Sequence, residues 1–120
     1  MKPIESNSVS LAPNNVFKHG FVHVVYFWLK ADLTSQDVIR FESALKQLVE
    51  ESEFAVTGHV GKPAGTDREL VDNSYDFSLI VTFDDAAGHQ AYQDEEPHDR
   101  FRVVAEELAA RVLIFDSIGA

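Results

Sequence analysis

The chain has 120 residues, the length of one domain, and a domain of that size buries about two-thirds of its unfolded surface. Twenty acidic against ten basic side chains leave a formal charge of −10, which argues against nucleic acid and anionic membrane surfaces as partners, since both favour a basic stripe. The absence of cysteine excludes disulfides, thiolate catalysis and cysteine-ligated metals, and cytoplasmic residence fits.

No run approaches the ~20 apolar residues of a membrane span. Residues 1–8 lack the apolar stretch of a secretory signal. Residues 1–18 carry Pro3, Pro13 and many Ser and Asn residues without periodicity, which predicts a flexible N-terminal arm before a domain over 19–120. Phe21–Lys30 is β-branched and aromatic throughout and predicts a strand. Thr34 is placed to cap a helix whose Val38, Phe41, Leu45, Leu48 and Val49 recur at helical spacing up to about Ser52. A second strand is predicted over Phe54–Gly61, and a loop over Lys62–Asn73. In Tyr75–Phe83 the residues Tyr75, Phe77, Leu79, Val81 and Phe83 alternate with Asp76, Ser78, Ile80 and Thr82, predicting a third strand. Asp84 is placed to cap a short helix ending near Asp94, and Pro97 opens another helix with Phe101, Val104, Ala105, Leu108 and Ala109 on one stripe. Val112–Phe115 predicts a short last strand.

The order β-α-β-β-α-β is the split-βαβ, ferredoxin-like plan: an α+β domain with a four-stranded antiparallel sheet and helices on one face. Alternation puts Phe21, His23, Val25, Phe27 and Leu29 under the helices, with Phe54, Val56 and Val60 on the same face of the second strand. Val22, Val24, Tyr26 and Trp28 then form an apolar patch on the opposite face, and a homodimer packing sheet on sheet would cover it.

His23 is the one polar residue inside the longest apolar run, Phe21–Leu29. A buried imidazole needs a hydrogen-bond partner, so His23 is satisfied from elsewhere or faces a cavity.

An ordered set of short patterns accompanies it: Tyr75–Phe83, Ala91-Tyr92, Pro97-His98, Phe101 and Leu113-Ile114-Phe115-Asp116. Together they resemble the stress-responsive A/B barrel domain (Dabb) family over about residues 20–118. The resemblance implies a dimeric α/β barrel. It also implies similarity to plant polyketide cyclases of the olivetolic acid type, lyases that close a poly-β-keto chain by aldol condensation without metal or organic cofactor. The strand histidine, tyrosine and second histidine of such a cyclase correspond to His23, Tyr92 and His98. Where the cyclase has a further histidine beside a proline, this chain has Glu95, with its proline at Pro97, which implies a more acidic pocket.

The chemistry needs a base to remove a proton beside a carbonyl and a donor for the developing oxyanion. His98 is the candidate base, Tyr92 the donor, and His23 an orienting group. Val25, Phe27, Phe41, Leu79 and Phe101 are the candidate lining of a substrate pocket between sheet and helices. Carboxylates at Asp94, Glu95, Glu96 and Asp99 would favour charged His98 and weaken it as a base. Each residue also has a structural reading. His98 could bond the loop before its helix, His23 could be satisfied by a backbone carbonyl or by Tyr92, and Tyr92 could simply pack on the sheet. His19, His59 and His89 are assigned no role, and no metal or cofactor is expected because no carboxylate–histidine signature at metal spacing occurs. Gly61–Thr66 lacks the phosphate-loop pattern.

Three functions remain open. The first is a cofactor-independent cyclase-like lyase acting on a small apolar keto compound. The second is a non-catalytic, stress-associated dimer binding a small hydrophobic ligand. The third, a cofactor-free monooxygenase, ranks last because Trp28 falls on the dimer face.

Overall fold

The computed structural model describes residues 20–120, so the arm expected over 1–18 lies outside the described residues. The elements run β1 (Phe21–Leu29), α1 (Ser35–Glu51), β2 (Thr57–Gly61), β3 (Phe77–Phe83), α2 (Ala86–Gln93), α3 (Glu96–Leu108) and β4 (Ala109–Ile118). The strands form one antiparallel sheet in the order β2-β3-β1-β4. This is the ferredoxin-like arrangement read from the element order.

Local chemistry sets the boundaries. Thr34 accepts from the Asp37 amide at 3.1 Å while the Asp37 carboxylate accepts from the Thr34 amide at 3.1 Å, a capping box that starts α1. At its other end the Ser52 hydroxyl accepts from the amides of Phe54 and Ala55. That turn delays the next strand to Thr57. The expected strand from Phe54 is therefore too long, and Phe54 and Val56 are 45% and 49% exposed rather than on the core face. Asp85, not Asp84, caps α2, accepting from the Gly88 amide at 2.9 Å. The last strand has ten residues rather than four, because β1 offers it a ladder from Phe21↔Ile118 to Leu29↔Ala109.

The register decides the faces. Phe21↔Phe83, His23↔Val81, Val25↔Leu79 and Phe27↔Phe77 pair on the helix side. His23, Val25 and Phe27 are buried there, as alternation predicts. Phe41, Leu45 and Leu48 of α1 and Phe101 and Leu108 of α3 close over them. Fully burying one such apolar side chain contributes about 1.5–3 kcal/mol. Gly58 of β2 lies so close to Val49 of α1 that a Cβ there would clash. The other face pairs Val24 with Ile80 and Phe115, and Tyr26 with Ser78 and Leu113. Its outer corner is tied by Arg111, whose guanidinium lies 4.3 Å from the Trp28 ring centroid, and by the Trp28 indole N–H donating to Ser74 at 3.2 Å.

Candidate functional site

Three elements converge on His23. The ladder sets Asp116 of β4 directly across from it, and the His23 Nδ1 lies 2.5 Å from Asp116 Oδ1. Asp116 follows Val112 and Ile114 at intervals of two, so it shares their helix-side face. His89 and Tyr92 are three apart on α2 and therefore share one face of it. The His89 ring stacks on Phe21 at 4.3 Å and sits 4.8 Å from the His23 ring. Tyr92 is 1% exposed, packed at 5.0 Å on Phe83 and edge-on to His23 at 6.1 Å. His23 is thus satisfied by Asp116, a partner the sequence reading did not name, while its contact with Tyr92 is ring against ring.

His98, in the first turn of α3, meets Tyr92 edge-on at 5.2 Å. One turn on, the Arg102 guanidinium donates to His98 Nδ1 at 3.2 Å while also pairing with Asp99 at 2.9 Å. Burial holds His98 below the usual histidine range, the Arg102 charge adds to this, and Asp99 opposes it weakly. The anticipated charging of His98 by its acidic neighbours is therefore overturned. Burial likewise lowers His89, and a nearby His23 adds to the effect. Burial, with Glu95 second, holds the Tyr92 phenol far above its ordinary range, so it stays protonated at neutral pH.

The more acidic pocket implied by Glu95 is not found. Its carboxylate accepts from the Ser52 hydroxyl at 2.6 Å and the Glu53 amide at 2.8 Å, which ties it to the end of α1. The hydroxyl and amide donors of the turn after α1 outcompete an apolar cavity for that charge.

Between sheet and helices lies a cavity of about 220 Å³. His23, Val25, Phe27, Leu79, Tyr92, His98, Phe101 and Arg102 line it, and Val112 and Ile114 of β4 form a wall. Those two are 45% and 52% exposed, so the cavity opens on that side. Pockets for drug-sized ligands usually exceed ~300 Å³, so this one suits a small molecule. Four of the five expected lining residues are present. Phe41 is not among them: it is fully buried behind Phe27 and Phe101, with ring centroids at 5.2 and 5.7 Å. Asp116, His89 and Arg102 are the site residues that sequence reasoning missed.

A split-βαβ sheet with an apolar cavity under its helices, and a histidine–tyrosine–histidine wall in that cavity, defines a small ferredoxin-like α+β domain. The chain belongs to the stress responsive A/B barrel domain family, Dabb, whose family model matches residues 21–118. No functionally curated protein matches it in sequence. Among solved structures it is similar to a dimeric ferredoxin-like protein of unknown function from Thermobifida fusca, at 22% identity and a TM-score of 0.70, covering 84% of this chain and 92% of that one. A Dabb family protein from Mesorhizobium loti gives 22% identity, a TM-score of 0.69 and coverage of 84% and 97%. A hydroxynitrile lyase from Passiflora edulis gives 14% identity, a TM-score of 0.73 and coverage of 85% and 94%. At these identities the likeness is one of fold. No described helix is long and apolar enough to cross a membrane.

Proposed function

We propose that the cavity binds a small apolar keto compound and that His98 and Tyr92 catalyse its cofactor-independent aldol cyclisation. The observation that carries this is the pairing of a histidine biased to its neutral form with a protonated phenol, 5.2 Å apart ring to ring, in one largely apolar cavity. His98 takes the proton from the carbon beside a carbonyl, and the released electron pair forms the enolate. Tyr92 donates to that carbonyl oxygen as charge develops on it. The enolate carbon attacks a second carbonyl of the same chain, forming the carbon–carbon bond, and the proton passes from His98 to the new alkoxide. Arg102 occupies His98 Nδ1, so its half-exposed side chain swings away before that nitrogen acts as base. His23, anchored by Asp116, orients the ligand from the opposite wall. The Passiflora lyase supports the reading to the extent that a similar fold carries a lyase.

Short poly-β-keto thioesters assayed with wild type and His98→Ala test the proposal. Loss of a general base lowers kcat by about 10²–10⁴. Equal rates in the two proteins would remove His98 from the reaction. The apolar lining also favours a second reading, a binder of small hydrophobic ligands without turnover. Saturable binding with no product from any keto substrate would support that reading instead.

The protein is further proposed to act as a homodimer joined through Val22, Val24, Tyr26 and Trp28. Each is half-buried, no helix among the described residues covers this face, and the Thermobifida protein of similar fold is dimeric.

A further inference from the structure

We propose that His23, His89 and Asp116 form a binding site for a divalent transition-metal ion of the zinc or cobalt class. Each side chain offers one ligating atom, and these atoms all lie within 4.8 Å of one another. The donor set is two imidazoles and one carboxylate, which suits such ions and leaves coordination positions for water or a ligand. It does not suit calcium or magnesium, which take oxygen donors.

The three ligands come from β1, α2 and β4. They differ in mobility in a way that serves binding. His23 is 6% exposed and locked in the sheet, so it acts as the fixed ligand. His89 is held in plane by stacking on Phe21 at 4.3 Å and by the edge of Phe83 at 5.4 Å, yet it remains partly exposed. The Asp116 side chain is 37% exposed, so it can turn once its bond to His23 is given up. Zinc–ligand distances of about 2.0–2.2 Å set tetrahedral ligands about 3.4 Å apart, so a pair at 4.8 Å closes by about 1.4 Å while the His23–Asp116 pair opens by about 0.9 Å from 2.5 Å. The two more exposed side chains make that movement, and the ion replaces the hydrogen now shared between His23 Nδ1 and Asp116 Oδ1.

The site shares His23 and its anchor Asp116 with the ligand-orienting wall but uses neither His98 nor Tyr92, which carry the proton transfer, so ion binding and turnover are read out separately. The test is titration of the untagged full chain with Co2+, read by visible absorption and by isothermal calorimetry, with Zn2+ as competitor. The expected result is one ion per chain. His89→Ala and Asp116→Asn should each weaken binding at least about tenfold, whereas His59→Ala, on the opposite sheet face, and His98→Ala should bind as wild type does. Asp116→Asn keeps a hydrogen-bond acceptor for His23, so it reads out the site without emptying the strand pairing, and circular dichroism of both variants checks the fold. Absence of saturable Co2+ binding to the wild type, or undiminished binding in both His89→Ala and Asp116→Asn, would overturn the proposal.

Discussion

His23 Nδ1 and Asp116 Oδ1 meet at 2.5 Å across the β1–β4 ladder, 93 residues apart in the chain. The contact answers the problem posed by a histidine in an apolar strand. It also ties the last strand to the wall of the cavity, because β4 contributes Val112 and Ile114 to the same face.

Removing the carboxylate leaves His23, 6% exposed, without that partner. Asp116→Ala should destabilise the fold by about 1–3 kcal/mol, the cost of an unsatisfied buried polar group. Asp116→Asn should lose less. Urea unfolding measures both, and an Asp116→Ala protein as stable as wild type would mean that His23 finds another acceptor.

The folded state holds His98 below its unfolded pKa of about 6.5. The unfolded chain therefore binds the proton more readily, and stability rises with pH. The His98 contribution is complete above about pH 7 and is lost as the pH falls through 6.5 toward the folded value. Melting temperatures between about pH 7.5 and 5 should fall less steeply for His98→Gln than for wild type. Superimposable curves would mean that burial does not depress this histidine.

Tyr92→Phe removes one hydroxyl and keeps the ring that packs on Phe83 at 5.0 Å. Stability should change by under about 1 kcal/mol, since the apolar volume is retained. Turnover of a keto substrate should fall by about 10²–10³, as for loss of an oxyanion donor. A variant with full activity would leave Tyr92 with a packing role alone.

Val24 sits at the middle of the sheet face opposite the helices, between Ile80 and Phe115. Val24→Asp sets like charges against each other in a sheet-on-sheet dimer. Sedimentation velocity should show a dimer for wild type and a monomer for the variant. A variant that stays dimeric would place the subunit contact elsewhere.

How far the sequence carried varies residue by residue. The face of His23, Val25 and Phe27 was legible because a strand has a period of two and all three shared one parity. Asp116 lies on that same parity, but the predicted strand stopped at Phe115, one residue short of it. His89 was legible in principle, three residues before Tyr92 on one helix face. Its partners in the site lie on other elements, so the sequence reading assigns it no role. Phe54 and Val56 looked like core because they alternate with Val60, yet the Ser52 hydroxyl takes the amides of Phe54 and Ala55 into a turn. Phe41 has the right helical spacing for the core, but spacing does not say which core ring borders empty space.

From sequence alone came the element order, the ferredoxin-like plan, the buried face of β1 and the trio His23, Tyr92 and His98. The first three follow from local periodicity and capping chemistry, which act over a few residues, and the trio came with the family resemblance of the short patterns. Only the tertiary structure decided which groups meet. The β1–β4 register brings Asp116 to His23, and the α2 docking angle brings His89 beside them. The hydroxyl and amide donors of the turn after α1 draw Glu95 out of the pocket. Each of these depends on distances between segments far apart in the chain, and those are set by packing the whole core rather than by any stretch of it.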